Sequence, residues 1–226
     1  MPVPLSGISV CVFDAYGTLF DVKGVVETGR ARLGDRAAPL ADLWRRKQLE
    51  YSWLRSLMGR HSDFWHVTGE SLDFAMEALG IDDPGLRASL MEAYLSPAAY
   101  ADVRETLDRL RGADRRLAIL SNGSPTMLTA ATKAAGLGGY FDAILSVEQV
   151  GIFKPHPTTY RLVPDHFDCT SAEIAFMSSN GWDVAGASAF GFQVVWVNRS
   201  GQPREVLPAH PHAEIASLAD LPGLLS

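Results

Sequence analysis

The chain has 226 residues, and about 70% of the surface of a chain this size can be buried on folding. Lys and Arg number 20 against 26 Asp and Glu, so the net charge is −6 and the basic surface that nucleic-acid binding needs is missing. Apolar residues make up 47% and charged residues 20%, which excludes a globally disordered chain. The composition therefore predicts a globular core and no nucleic-acid partner.

Cysteine usage and hydropathy give expectations about location. Cys11 and Cys169 match no CxxC or zinc spacing, and Cys11 lies in an apolar run that is typical of a buried thiol. The first ten residues lack the basic and apolar regions of a signal peptide, and no stretch approaches the roughly 20 apolar residues of a membrane span. We therefore expect no disulfide framework, no membrane attachment and a cytoplasmic location.

The first predicted element is a strand over residues 8–13, a continuous apolar run that ends at Asp14. Apolar residues at helical spacing follow and predict helices over 39–58 and 64–79, the second closed by Gly80. Asp83-Pro84 predicts the start of a third helix, because Pro favours the first helical position.

After Pro97, strands and helices alternate along the chain. The predicted strands cover residues 117–120, 143–147, 174–177 and 194–197, and the helices between them cover 103–110, 125–135, 157–166 and a stretch after Trp182. Such alternation is typical of α/β proteins with a parallel sheet and helices on both faces. We expect residues 1–20 and 100–226 to form a Rossmann-like α/β core, residues 21–99 an inserted all-helical cap, and the tail a last strand and short helix.

Polar residues follow several of the predicted strands. Ligands bind beyond the carboxyl ends of the strands in sheets of this kind. That rule selects Asp14, the pair Ser121-Asn122, the run from Ser178 to Asn180, and Lys154 in the loop after residues 143–147. The sequence therefore predicts a polar site at one edge of the sheet.

The string FDAYGTLFD around Asp14 resembles the first motif of the haloacid dehalogenase-like superfamily, whose aspartate nucleophile forms a covalent intermediate. The wording DAYGTLFD is similar to that of the type II L-2-haloacid dehalogenases. Four further blocks follow in the family's order: LWRRKQLEYSWLRSLM, LAILSNGSP, FKPHPTTY and SSNGWDVAGA. The resemblance covers about residues 8–198 and implies the fold of that superfamily, no cofactor, no metal, a small 2-haloacid substrate and a homodimer joined by cap helices.

The chemistry implied by the resemblance needs cations. The nucleophile Asp14, the substrate carboxylate and the departing halide are all negative, and two such charges 4 Å apart repel by about 4 kcal/mol, or about three powers of ten in rate. By resemblance Lys154 pairs with Asp14, and Arg45 receives the halide. Arg45 shares a helical face with Leu49 and Trp53 at i+4 and i+8. The alternatives are an exposed loop lysine and, for the arginine, an ion pair within the cap to the acidic residues at positions 42 or 50.

The resemblance also implies roles for the remaining polar and aromatic residues. Asp183 positions or deprotonates the hydrolytic water, although a carboxylate there also suits a helix N-terminus. The supporting catalytic residues are Thr18, Ser121, Asn122, Tyr160, Ser178 and Asn180, and the substrate- and halide-binding residues are Tyr16, Arg45, Leu49, Phe64, Ser121, Asn122 and Trp182. Helix capping is the alternative for Ser121 and Asn122, and plain packing is the alternative for the aromatic residues, including Tyr160 as a half-buried ring.

Two departures from the superfamily's phosphatases favour attack on carbon. Tyr16 stands where those enzymes carry a second aspartate, and Ser179-Asn180 replaces their Gly-Asp pair, which leaves Asp183 as the nearby carboxylate. The expected reaction is hydrolysis of (S)-2-haloalkanoic acids to (R)-2-hydroxy acids with inversion, through an ester on Asp14. The rivals are a Mg²⁺-dependent small-molecule phosphatase, a hydrolase of another activated carbon such as a strained cyclic amino acid, and a non-catalytic binding protein on the same fold.

Overall fold

The computed structural model describes residues 5–225. Its centre is a six-stranded parallel sheet in the order β3-β2-β1-β4-β5-β6. The strands are β1 (Val10–Phe13), β2 (Arg116–Ser121), β3 (Ala143–Ser146), β4 (Ile174–Ser178), β5 (Gln193–Val197) and β6 (Ala213–Ile215). The predicted parallel sheet is confirmed, although its first strand begins at Val10 and not at residue 8.

The sheet is buried on both faces. Alternate strand residues point to opposite faces, so Cys11 and Phe13 pack in one apolar cluster and Val10 and Val12 in another. Helices cover each cluster, as expected for an all-parallel sheet. The α/β fold class with helices on both faces is therefore confirmed.

Nine α-helices lie among the described residues. Five of them lie within the predicted insert of residues 21–99: α1 (Lys23–Glu27), α2 (Arg30–Leu33), α3 (Ala37–Met58), α4 (Phe64–Ala78) and α5 (Pro84–Leu95). The others are α6 (Val103–Gly112), α7 (Pro125–Ala134), α8 (Pro157–Phe167) and α9 (Gly181–Phe190). The three predicted long helices of this insert are present, whereas the two short ones were not predicted; the division into cap and core stays a prediction.

The strand order brings the ends of β1 and β4 together. Phe13 is in register with Met177, and the backbone N–H of Asp14 donates to the Met177 carbonyl at 2.9 Å. The order of the strands changes direction between β1 and β4, because β2 and β3 lie on one side of β1 whereas β4, β5 and β6 lie on the other side. Ligand sites of doubly wound sheets lie at such a point.

Both cysteines are free, and burial raises the pKa of the Cys11 thiol to about 12. The predicted buried thiol is therefore confirmed. Within residues 5–225, no helix is both long and apolar enough to cross a membrane. The tail forms β6 and a 3-10 helix over Leu218–Leu224, as predicted.

Candidate active site

Asp14 is the centre of the polar cluster at the end of β1. Its side chain is largely buried, and its Oδ2 accepts hydrogen bonds from Thr18 Oγ1 at 3.0 Å and Asn180 Nδ2 at 2.9 Å. Its Oδ1 accepts from Lys154 Nζ at 3.3 Å. Three donors from separate segments therefore fix one carboxylate in place.

A tight turn after β1 sets the position of Thr18. Gly17 has φ +93°, a conformation that side-chain-bearing residues rarely adopt, and the N–H groups of the next turn return to the Ala15 carbonyl. The Thr18 hydroxyl accepts from the Ser179 backbone N–H at 2.8 Å while it donates to Asp14. Thr18 thus ties the loop that carries Asp14 to the loop after β4.

Lys154 lies between two carboxylates. Its Nζ is 3.0 Å from Asp183 Oδ2 and 3.3 Å from Asp14 Oδ1, and the lysine side chain is fully buried. Its backbone N–H donates to Asn122 Oδ1 at 2.9 Å, which joins the loop after β3 to the loop after β2. The alternative of an exposed loop lysine is wrong, because this ammonium group is enclosed by its partners.

Asp183 is the second carboxylate of the cluster and is also fully buried. Burial raises its pKa above the ordinary value, and the nearby Asp14 charge adds to the rise, while the Lys154 ammonium opposes it. Tyr160 OH donates to Asp183 Oδ1 at 2.7 Å, and burial keeps the pKa of this phenol well above its usual range. Tyr160 therefore remains a neutral donor, and its interpretation as a half-buried ring is wrong.

Arg45 approaches the same cluster from α3. Its Nη1 donates to Gln48 Oε1 at 2.8 Å and its Nη2 donates to Asn180 Oδ1 at 3.1 Å. The alternative of an ion pair with Asp42 or Glu50 is wrong: Glu50 pairs with a lysine at position 47, and no carboxylate of residues 5–225 forms an ion pair with this guanidinium. Its positive charge is held by neutral amides.

Gln48 is a partner that sequence reasoning missed. It is 1% exposed, and its Nε2 donates to Thr68 Oγ1 at 2.7 Å and Tyr94 OH at 3.1 Å. Its spacing of three residues from Arg45 places both side chains on one face of α3, which was the available signal. Thr68 and Tyr94 come from α4 and α5, and no local pattern connects them to α3.

Asn180 joins the two halves of the site. Its Nδ2 donates to Asp14 while its Oδ1 accepts from Arg45, so one amide contacts both the carboxylate at the end of β1 and the arginine of α3. Its backbone N–H donates to Ser178 Oγ at 3.1 Å, which fixes the loop after β4.

A small pocket opens beside Asp14, and we call it the Asp14 pocket. Its volume is about 10 Å³, which is at the limit for one water molecule. All of its lining residues were predicted from sequence as site residues: Asp14, Tyr16, Arg45, Leu49, Phe64, Ser121, Asn122, Asn180 and Trp182. Thr18, Lys154, Tyr160, Ser178 and Asp183 lie outside this lining and hold it through the bonds described above.

Ser121 and Asn122 are not helix caps. Ser121 ends β2, its Oγ accepts from the Gly123 N–H at 3.1 Å, and the cap of α7 is Ser124. Gly123 is required here, because a Cβ at this position would lie 2.8 Å from the Tyr16 ring. The capping alternative for the pair is therefore wrong, and both side chains reach the pocket.

Aromatic rings form the rest of the wall. Tyr16 stacks on Tyr94 with ring centroids 5.3 Å apart, and Trp182 meets Trp53 edge-on at 5.5 Å. The Tyr16 hydroxyl and the Trp182 indole N–H are buried and have no partner in the described structure. The backbone N–H of Phe64 donates a hydrogen bond of 3.0 Å to a glutamate side chain in the loop after β3, which fixes the position of Phe64.

The donor set does not resemble a metal site. Within residues 5–225, no group of three or more His, Cys, Asp or Glu side chains comes together. Asp14 and Asp183 both direct an oxygen to the Lys154 ammonium, so the cation between these carboxylates is part of the chain.

The site therefore consists of a buried lysine between two buried carboxylates at the ends of parallel strands. The family model of haloacid dehalogenase-like hydrolases matches residues 8–191. The chain belongs to the haloacid dehalogenase-like hydrolases. (S)-2-haloacid dehalogenase 1 from Pseudomonas sp. (strain CBS-3) is 45% identical over 219 residues, covering 96% of each chain.

Solved structures agree with this family membership. A crystal structure of a dehalogenase superposes with a TM-score of 0.95 at 44% identity, over 96% of this chain and 97% of that one. The L-2-haloacid dehalogenase from Xanthobacter autotrophicus, with chloropropionic acid covalently bound, has a TM-score of 0.88 at 41% identity, over 96% and 98%. This haloacid dehalogenase-like hydrolase thus shares its fold over nearly its whole length with a protein that carries a haloacid-derived adduct.

Proposed function

We propose that the protein hydrolyses (S)-2-haloalkanoic acids to (R)-2-hydroxy acids with inversion, through an ester on Asp14. One observation carries the proposal: Asp14 and Arg45 line the same small pocket, together with aromatic and aliphatic residues. A carboxylate nucleophile and a cation for the departing halide are thus both available to one substrate. A relative that is 45% identical and named (S)-2-haloacid dehalogenase 1 supports the same reaction.

The charges of the site suit an anionic substrate. Lys154 is ion-paired with both Asp14 and Asp183, whereas Arg45 forms no ion pair among the described residues, so an incoming carboxylate meets a guanidinium that no carboxylate neutralises. Ser121 lies in the pocket wall and supplies a hydroxyl for that carboxylate. Fixed donors aimed at developing charge are the largest contribution in many enzymes.

In the first step, an Asp14 oxygen attacks C2 from the side opposite the halogen. The carbon–halogen bond breaks, and its electron pair leaves with the halide toward Arg45, with Asn122 and Asn180 beside it. Thr18 and Asn180 hold the carboxylate by hydrogen bonds of 3.0 and 2.9 Å. The carboxylate is therefore already oriented, and it loses little rotational freedom on reaching the transition state.

In the second step, water attacks the carboxyl carbon of Asp14. Asp183 accepts a proton from that water, and the bond between this carbon and the ester oxygen breaks. The departing alkoxide takes up the proton held by Asp183, so the product hydroxyl carries an oxygen from Asp14. The balanced reaction consumes one water and releases one halide and one proton. Lys154 and Tyr160 keep Asp183 in place through the 3.0 and 2.7 Å contacts.

The site lacks the carboxylic acid that a phosphatase of this superfamily uses to protonate its leaving group. Tyr16 occupies the position of the second aspartate, its ring is packed against Tyr94, and burial holds the pKa of its phenol well above its usual range. A neutral phenol of raised pKa is a poor substitute for a carboxylic acid that protonates a leaving alkoxide.

The test is halide release from each enantiomer of 2-chloropropionate in the presence of EDTA. We expect release from the (S) enantiomer alone, unaffected by the chelator, and loss of about four orders of magnitude in Asp14→Asn, because the nucleophile is gone. Phosphate release that requires Mg²⁺, or hydrolysis of a strained cyclic amino acid without dehalogenation, would favour a rival. Halide release at the background rate in both wild type and Asp14→Asn would favour a non-catalytic binding protein.

We also propose a homodimer joined through α3 and α4, and a cytoplasmic location. Leu57 and Met58 are 84% and 64% exposed at the end of α3, and Phe74 is 40% exposed on α4. An apolar patch of this kind suits an isologous contact. Light scattering tests it: we expect a dimer for wild type and a monomer for Leu57→Glu, whereas an unchanged mass would contradict the proposed interface.

A further inference from the structure

A second and larger cavity lies behind Arg45, and we call it the rear cavity. Its volume is about 230 Å³, whereas the Asp14 pocket has about 10 Å³. A cavity needs only about 10–15 Å³ to hold one water molecule, so the rear cavity accommodates a small ion together with its hydration water. It lies between α1, α3 and the loop after β5, and its walls include Val26, Ala41, Gln48, Tyr94, Arg199 and Ser200.

Arg45 and Asn180 belong to the walls of both cavities. The hydrogen bond of 3.1 Å between them therefore lies at the boundary between the Asp14 pocket and the rear cavity. The Arg45 guanidinium is therefore accessible from both cavities.

The charges around the rear cavity favour a monovalent anion. Arg199 is paired with Asp102 through two hydrogen bonds of 2.8 and 3.0 Å, yet its Nε is buried without a partner among the described residues. Lys23 and Asp42 contribute opposite charges to the lining. Arg45 is therefore the cation left uncompensated, and the Arg199 N–H supplies a donor that lacks an acceptor.

We infer that the rear cavity receives the halide ion as soon as the ester forms, and that it is the route by which the halide leaves. The inference rests on the proposed function. When the carbon–halogen bond breaks, the halide carries away the electron pair, while the carboxyalkyl group of the substrate stays bonded to an Asp14 oxygen and fills the small pocket until water cleaves the ester. The larger space across the Arg45–Asn180 contact is open to the ion at that stage.

The test follows ester and chloride separately during a single turnover of (S)-2-chloropropionate, with enzyme in excess and no chloride in the buffer. Rapid quenching and intact-protein mass spectrometry measure the ester, a chloride-quenched fluorophore measures the released ion, and chromatography measures the hydroxy acid. Two variants fill the rear cavity from different elements, Ala41→Phe on α3 and Ser200→Trp in the loop after β5. Their controls place the same side chains at exposed positions of the same segments, Ala38→Phe and Val206→Trp.

In wild type and controls, we expect chloride to appear together with the ester and ahead of the hydroxy acid. In the filled variants, we expect chloride to be delayed by about tenfold or more while ester formation stays within about twofold, because a product-release step alone is blocked. If one variant does not fold, the other decides. Chloride release that keeps pace with ester formation in the filled variants overturns the inference. Slower ester formation would also overturn it, because the cavity would then be the route of the substrate. Slower hydroxy-acid release would overturn it as well, because the cavity would then be the route of that product. Absence of any ester in wild type would instead refute the proposed function.

Discussion

The two cations of the site are held in opposite ways by the two sides of the molecule. At the ends of the strands, which we call the core side, Lys154 is enclosed and paired with the carboxylates of Asp14 and Asp183. On α3, which we call the cap side, Arg45 contacts the neutral amides of Gln48 and Asn180. The core cation is neutralised where it lies, while the cap cation keeps its charge for a ligand.

The two cations therefore have different tasks, since one fixes the geometry of the site and the other attracts an anion. A buried cation with ion-paired partners holds a geometry, but it attracts a further anion only weakly because its partners already compensate its charge. A cation positioned by amides is oriented equally well and remains uncompensated. The site thus combines a rigid carboxylate with an anion acceptor that is ready before the halide forms.

Removing the core cation is expected to have the largest effect. Lys154→Met leaves two buried carboxylates facing each other, and breaking a buried pair costs about 3–5 kcal/mol of unfolding free energy. We expect that loss in urea denaturation, together with loss of halide release. The double variant Lys154→Met/Asp183→Asn should lose less stability than the two single variants summed, because one of the repelling charges is gone. Additive losses would show that the three groups do not act as a unit.

Arg45→Lys tests the cap cation with its charge retained. A lysine cannot reproduce the planar fork that reaches Gln48 and Asn180 together. We expect ester formation to slow by about a hundredfold, as for the loss of one oriented donor, with unchanged stability in urea. An unaltered rate would mean that charge alone, without orientation, suffices on this side.

Gln48→Glu makes the cap side resemble the core side, because it gives Arg45 a carboxylate of nearly the same shape. We expect about a tenfold slower ester formation and weaker inhibition by added bromide, since a neutralised cation attracts the halide less. The control Gln48→Met removes the hydrogen bond without adding a charge, so its bromide inhibition should weaken less. Equal bromide inhibition in both variants would contradict an uncompensated Arg45.

The smallest expected effect is a pH shift in the second step. Burial raises the pKa of Asp183, so this base becomes protonated at a higher pH than an ordinary aspartate. Ester hydrolysis should therefore slow as the pH falls through that raised value, whereas ester formation, which uses no base, should not follow it. Rapid-quench rates across the acid range measure both steps. A shared pH dependence would argue against Asp183 as the proton acceptor.

Sequence patterns predicted the parts of the fold that depend on local order. The parallel sheet and the long helices follow from hydrophobic periodicity, and the strand-end rule selected Asp14 and Lys154. The two short helices α1 and α2 carried too few residues for a periodic signal. The motif resemblance supplied Arg45, but its partner Asn180 comes from the far side of the sheet. Gln48 needs Thr68 and Tyr94 from two other helices, so only tertiary packing brings this network together.

The most direct test of the account is isotopic. Wild-type enzyme in excess should be given (S)-2-chloropropionate for one turnover in ¹⁸O-water, after which the Asp14 peptide and the hydroxy acid are weighed by mass spectrometry. The account predicts ¹⁸O in the Asp14 carboxylate and ¹⁶O in the hydroxyl of the first product. Label in that first hydroxyl with none in Asp14 would mean that water attacks C2 directly, and would contradict the ester.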